Sequence, residues 1–493
     1  MKNLKIKYPV FLILSFLLVI SACTKDFEEY AEPTTTADQI DPKYLFTRSL
    51  VTGSGISVGV WQYIHQISGS SWAQHFANIQ PNFRWDNYEP TPGNTKWDWY
   101  YAREHFAPLF LNYQVIKLSR ELNNPIKEAV ARIWNVYMFQ FLTDTYGDLP
   151  YTEAFESIRP AFDSQEFIYS DMLKELQESV QQIKDFQDAG YEGYGEADVL
   201  YNGDLDKWIR FGNTLILRLA LRVSNVASAE LTQPYLQALD LSETMQQNGD
   251  MARMLPDPNG ATYHVKNPLS FVFGWNEVRM SQTMYDILTG LNDPRMQIMF
   301  NPNEDGLYVG LENGQNPDSL SLRYNSYYRP QFCNIGNFFI QDNNPLFMMT
   351  YAEACFLKAE AAQKGFIVGS AEQFYEDGIR ASMNLLGITE ESVIQDYLEG
   401  PAAFNSSSAL EQIYAQRWIA LYPNGAEAWA LVRQTGVPAI QPLVFYYPGN
   451  VEMPRRKPYP VNERRYNTEN YDAAVARMGG DSQYTRVWWD GGN

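Results

Sequence analysis

The sequence predicts a mostly α-helical protein whose antiparallel helix pairs form a scaffold interrupted by a large irregular, loop-rich insertion. From about Tyr44 onward, apolar residues recur mainly at helical spacing, with few alternating β-branched stretches. Capping residues and glycines divide those runs into helix–turn–helix units. Between 249 and 344 the period is lost among proline, glycine, asparagine and aromatic clusters, where a short hairpin or two is expected.

In chain order, segments 44–68 and 98–122 form the first expected pair. Asn124 can cap a helix that begins at Pro125, and Ile126, Val130, Ile133, Tyr137 and Phe141 then share one face until Gly147 ends the run. Asp163 with Glu166 reads as a capping box for a partner helix through Ile183. A further pair is expected over 205–248. Its first helix, 208–226, is apolar nearly all round except for Arg210, Arg218 and Arg222, so most of its circumference should be buried. In the next pair, Ala352, Ala354, Ala359, Ala361 and Ala362 permit close helix approach, and Ser370 with Gln373 caps the second member. A last helix is expected from Ser408, with Glu411 completing a box, through Ile419, before proline-rich loops around 454–460. Such repeated pairs resemble tetratricopeptide-like repeats, although no strict period is present.

The amino terminus reads as an export leader. Lys2, Lys5 and Lys7 precede an apolar run from Pro9 to Ala22 that is too short to span a bilayer, and Ile20-Ser21-Ala22-Cys23 resembles a bacterial lipobox, with Cys23 as the lipidated residue. Residues 23–41 are polar and read as a flexible tether, leaving 42–493 as one folded domain. Lys25 followed by Asp26, Glu28 and Glu29 suggests export to the outer face of a Gram-negative outer membrane. The formal charge of −20 excludes nucleic acid as a natural partner. Only Cys333 and Cys355 remain beyond Cys23, so the fold does not depend on a disulfide framework; one bridge or two buried thiols are open.

Aromatic residues make up 15% of the chain, with twelve tryptophans, several of them in polar loops. A sugar ring packs its axial C–H groups on an indole or phenol face while its hydroxyls seek amides and carboxylates, so rings set among asparagines point to a glycan. Trp72, Phe83, Trp85, Tyr88, Trp97 and Trp99 lie among Asn78, Asn82, Arg84, Asp86, Asn87 and Asn94. A second group is Trp275, Asn276, Glu277 and Arg279; a third is Tyr327, Tyr328, Arg329 and Phe332. The expected ligand-binding residues are Trp72, Trp85, Tyr88, Trp97, Trp99, Trp275, Asn276, Tyr327 and Tyr328, with Trp85, Trp72 and Trp275 foremost. Packing of the insertions is the competing use for such rings. No catalytic residue is expected and no cofactor is implied. His65, His75, His105 and His264 lack zinc-ligand spacing, and Gly53-Ser54-Gly55 is not a nucleophile elbow. Asn301, Asn303 and Asp305 before Gly306 lack the remaining ligands of a calcium loop, which makes a solvated turn the default and leaves metal binding open.

Several strings together are similar to the SusD/RagB family of nutrient-binding outer-membrane lipoproteins, in particular its SusD-like second subfamily. They are the lipobox, the run from Leu142 through Thr143, Asp144, Tyr146, Gly147 and Asp148 to Tyr151, Tyr351-Ala352-Glu353 through Ala362, Gln416-Arg417-Trp418-Ile419-Ala420 leading to Glu427-Ala428-Trp429, and Arg455 to Pro460 followed by Glu463 and Asn467. The resemblance implies four tetratricopeptide-like helix pairs cradling a more irregular half, a SusC-like TonB-dependent transporter as partner, and capture of oligosaccharides or oligopeptides. A surface-anchored hydrolase and a structural lipoprotein that docks proteins are the alternatives.

Overall fold

The computed structural model describes residues 41–81, 84–90, 94–101, 107–257, 266–316, 318, 330–450 and 452–492. The expected leader and all but the last residue of the expected tether, with Cys23, and the expected site residues Tyr327 and Tyr328 lie outside the described residues.

Helix α1 (Pro42–Gly53) is capped by Asp41, whose carboxylate accepts from the Lys43 amide at 3.0 Å, and packs on α2 (Pro108–Glu121). The expected first helix through residue 68 is thus broken. The chain turns at Gly55 (φ +76°) and re-forms as a short helix, Val58–Trp61, that continues as a π-helical segment, Gln62–Ser70. Helix α3 (Pro125–Tyr146) starts and stops as the sequence predicts: Asn124 accepts from the Lys127 amide at 3.0 Å, and Gly147 closes it at φ +86°. Its partner α4 (Gln165–Phe186) is capped by Ser164 rather than Asp163. The Asp163 carboxylate is engaged elsewhere, accepting from the amide and hydroxyl of Thr152 at 2.8 and 2.9 Å. Helix α5 (Leu205–Val223) begins three residues before the expected start because Asp204 caps it through the Lys207 amide, and α6 (Ala229–Ala238) returns along it. Helices α7 (Tyr351–Gln363) and α8 (Ala371–Leu385) form the fourth pair, with Ser370 accepting from the Gln373 amide as expected.

Four pairs therefore stand in succession, α2 touching α3 and α4 touching α5. Helix α9 (Ala409–Ala420) begins after Ser408, although that side chain makes no cap bond, and α10 (Gly425–Thr435) is capped by Asn424. The π-helical segment lies against α10 so closely that a Cβ on Gly69 would come within 2.4 Å of the Gly425 carbonyl carbon. Gly69→Ala should therefore force the two backbones apart and lower stability by about 1–3 kcal/mol, read as a lower denaturant midpoint at unchanged helix content.

The insertion is more ordered than the sequence suggests. It carries helices Pro268–Trp275 and Gln282–Gly290, and among the described residues two of its strands pair with segments outside it and two with each other. Antiparallel partners are β1 (Phe76–Asn78) with β3 (Val278–Met280), β2 (Ala252–Met254) with β6 (Leu346–Met349), and β4 (Phe300–Asn301) with β5 (Asn334–Ile335). Beyond the proline-rich loop the chain forms two further helices, Val461–Tyr466 and Thr468–Met478, whose bounds the sequence did not mark. The second buries only Tyr471, Ala474 and Met478, too narrow a stripe to stand out in the sequence. One hydrophobic cluster runs from Phe46 to Trp489 through the helix pairs and the insertion. Cys333 and Cys355 are both buried free thiols.

Inside the scaffold the arginines of α5 meet acids from distant helices. Arg218 grips Glu353 with two parallel bonds of 2.9 and 2.7 Å, and Arg222 is paired with Glu427 and with Asp144. Arg417 from α9 joins both clusters through Glu353 at 3.4 Å and Glu427 at 3.1 Å. Burial alone would raise the Glu427 carboxyl; Arg222, Arg218 and Arg417 outweigh it and hold the group below its ordinary value.

Candidate ligand-binding site

Three segments far apart in sequence are stitched into one platform by buried polar groups. Residues 84–87 form a 3₁₀ turn whose Asp86 carboxylate accepts from the Asn78 amide at 3.1 Å, the Gly314 amide at 2.9 Å and the Asn313 carboxamide at 2.7 Å. Its neighbour Asn87 donates to the carbonyls of Gln315 and Phe445 and accepts from the Tyr447 amide. Phe445 and Val444 donate their amides to the carbonyls of Gly314 and Asn313. Gly314, at φ +72°, lies where a Cβ would meet Leu443 at 2.6 Å, so the contact requires glycine. Burial pushes the Asp86 carboxyl up to about 6 against the opposing pull of its three hydrogen bonds.

These segments enclose an open cleft of about 260 Å³ lined by Arg84, Asn87, Asn316, Asp318, Phe445, Tyr447 and Pro448. Rings, amides and one charge of each sign share its wall, a composition suited to hydroxyl-rich ligands. Arg84 and Asn87 belong to the first sequence cluster. Phe445 and Tyr447 were not foreseen, since Phe445-Tyr446-Tyr447 reads as part of a loop and only the pairing with 313–315 brings it to the site.

The foreseen rings divide. Trp72 is 1% exposed; it packs 4.8 Å from the Trp429 ring and donates its indole N–H to the Trp85 carbonyl. Trp97, 4% exposed, is enclosed by Tyr101, Tyr146, Phe162 and Tyr459. Tyr88, 3% exposed, adopts φ +62°, and its carbonyl accepts from Asn450 and Gln483. These three have no ring face open to a ligand, because the segments carrying them, Trp97 on the helix Asn94–Tyr101 among them, pack down onto the scaffold and use the rings as anchors. Trp99 is half-buried and donates to the Thr52 carbonyl. Asn276 is a left-handed helix cap whose side-chain oxygen accepts from Arg279. Trp85 keeps partial exposure, with Tyr63 5.5 Å away and the Lys457 ammonium 4.6 Å from its centroid, where burial lowers that lysine to about 7. Trp275 is 43% exposed at the end of its helix.

The family model for starch-binding proteins associating with the outer membrane, SusD-like, matches residues 38–460. The chain belongs to this SusD-like family. Among solved structures, a chitin-binding protein superposes on this SusD-like chain with a TM-score of 0.79 at 28% identity, over 91% of this chain and 100% of its own. A chitin-binding SusD homolog from Flavobacterium johnsoniae does so with 0.77 at 25% identity, over 91% and 98%. A SusD homolog from Bacteroides uniformis gives 0.77 at 27% identity, over 92% and 100%. No curated protein matches the chain significantly.

In this SusD-like protein the family-like strings serve the architecture. Asp144 accepts from Tyr169 and pairs with Arg222; Asp148 accepts from the Gln165 amide at 2.8 Å and from Arg477 at 2.6 Å. Among the described residues no group of three His, Cys, Asp or Glu side chains is placed to hold a metal. The Asn303 side-chain oxygen instead accepts from the amides of Asp305 and Leu307, closing a local turn. No described helix is long and apolar enough to cross a membrane.

Proposed function

We propose that this SusD-like protein captures glycan oligomers on the platform formed by residues 84–87, 313–316, 318 and 443–448 and delivers them to a SusC-like TonB-dependent transporter. In this reading Cys23 carries the lipid that anchors the chain to the outer membrane, residues 23–41 are the tether, and the body faces outward. The observation that carries the reading is the cleft itself: the Phe445 and Tyr447 rings stand beside Arg84, Asn316 and Asp318 on a base locked by Asp86 and Asn87. Rings on a rigid base offer stacking without ordering cost, and the polar groups orient hydroxyls. The chitin-binding names of two structural neighbours support a glycan over an oligopeptide. Trp275 and Trp85, which keep exposed surface, are assigned to outer contacts with a longer chain.

Titration of the purified protein with maltohexaose and with chitohexaose tests this. Phe445→Ala combined with Tyr447→Ala should weaken the bound sugar by about tenfold or more, and Trp275→Ala by roughly threefold. An unchanged affinity in the double variant would remove the platform from the ligand site. The protein should return every oligomer at its original length; shortened products would favour a surface hydrolase instead.

A further inference from the structure

A second and larger cleft, about 620 Å³, opens on the helical scaffold between α2, α3, α4 and the loop that follows Pro150. No part of the platform contributes to it. Two ring groups line it: Phe139 and Tyr151 meet edge to face at 4.7 Å, and Phe155 leans on Tyr113 at 5.8 Å and on Phe110 at 5.5 Å. Phe155 holds φ +70°, a conformation costly for a bulky side chain, and the rings around it keep it there.

Most charges in the cleft are already answered within the protein. Arg132 is held by Glu175 and Glu178, Arg120 by Glu128, and the hydroxyls of Tyr151 and Tyr113 donate to Asp171 and Glu156. Asn135 accepts from Asn112 through its oxygen, which turns its amide N–H groups to other partners. Lys117 and Glu121, one charge of each sign, add two further charged side chains on the exposed side of α2. Three cations in the lining, Lys117, Arg120 and Arg132, stand against four carboxylates, Glu121, Glu156, Asp171 and Glu175, so the wall is one charge from neutral. Strong net charge would select an ion, whereas ring faces and a carboxamide in a nearly balanced wall suit an uncharged, hydroxyl-rich ligand.

We propose that this cleft is a second saccharide site, separate from the platform, that takes a short neutral oligosaccharide. The proposal rests on the glycan reading above for its choice of probe, and its geometry is independent of the platform.

The test uses the purified protein in five forms: unaltered, platform-disabled (Phe445→Ala with Tyr447→Ala), each of these with Phe155→Asn, and the platform-disabled form with Lys117→Ala and Glu121→Ala. Asparagine accepts the left-handed backbone while removing the ring, so the loop keeps its path. Maltohexaose and chitohexaose are titrated by calorimetry. The expected result is two equivalents bound by the unaltered protein and one by the platform-disabled form. Phe155→Asn should weaken the equivalent retained by the platform-disabled form by about tenfold. Lys117→Ala with Glu121→Ala, two exposed positions that leave the fold undisturbed, should weaken the same equivalent about threefold. A single equivalent that vanishes in the platform-disabled form overturns the second site and leaves the platform standing. A single equivalent lost only on Phe155→Asn supports the cleft and removes the platform. Binding retained by the platform-disabled form but indifferent to Phe155→Asn overturns the cleft.

Discussion

Replacing Glu353 with alanine should cost about 3–5 kcal/mol, the largest effect expected of any single change in the scaffold. Its carboxylate is about 1% exposed and is shared between Arg218, by two short bonds, and Arg417 at 3.4 Å. Removing it leaves Arg218 with one neutral acceptor, the Gln140 carboxamide at 3.2 Å, and leaves Arg417 with Glu360 and Glu427 alone. Neither guanidinium can reach water, so the loss is mostly the penalty of a stranded charge rather than the net worth of the pair. Three helices, α5, α7 and α9, are joined at this point. Urea unfolding should show a midpoint well below that of the unaltered protein. A variant within 1 kcal/mol of it would mean that the network is dispensable. Because Glu427 is held below its ordinary pKa, its contribution is complete above that value and fades as the pH falls through the lowered one.

Asp86→Ala should act on the ligand site more than on the fold. Two buried donors, the amides of Asn78 and Gly314, lose their acceptor together, while the Asn313 carboxamide loses one of its bonds and keeps the Phe76 carbonyl at 2.7 Å. At roughly 1–3 kcal/mol for each stranded donor, the local cost is enough to release the 313–316 segment from the 84–87 turn. Affinity for the bound glycan should fall at least tenfold while the helical circular dichroism of the scaffold persists. Retained affinity would show that the platform holds without this joint. The carboxyl titrates near 6, above its ordinary value of 3.8, so the folded state binds the proton more tightly than the unfolded state. The contribution of Asp86 to stability is therefore largest at low pH and declines as pH rises from about 4 to 6, a component the alanine variant should lack.

The helix pairs were legible because their signals are local. Asn124 before Pro125, Gly147 after the apolar face of α3, and Ser370 before Gln373 each act within one turn of the backbone, and each stands where the sequence places it. The same locality explains the misses. Asp163 and Ser164 are equally good caps on paper; the bond of Asp163 to Thr152, eleven residues away, assigns the cap to Ser164. The segment 249–344 looked irregular because its strands are two or three residues long and pair with chain well separated in sequence, as β3 does with β1 and β4 with β5.

By itself the sequence determined the helical scaffold, the order of its paired elements and the resemblance that the family match establishes, since periodicity, caps and short strings are read along the chain. Only the tertiary structure decided which aromatic rings face outward. Trp72 and Trp97 look as available as Trp275 in a polar loop, yet Trp429 and Tyr459, more than 300 residues further on, close over the first two. Burial depends on what arrives from elsewhere in the chain, and so does a cleft whose walls come from Arg84 and Asn87, from Asn316 and Asp318, and from Phe445, Tyr447 and Pro448.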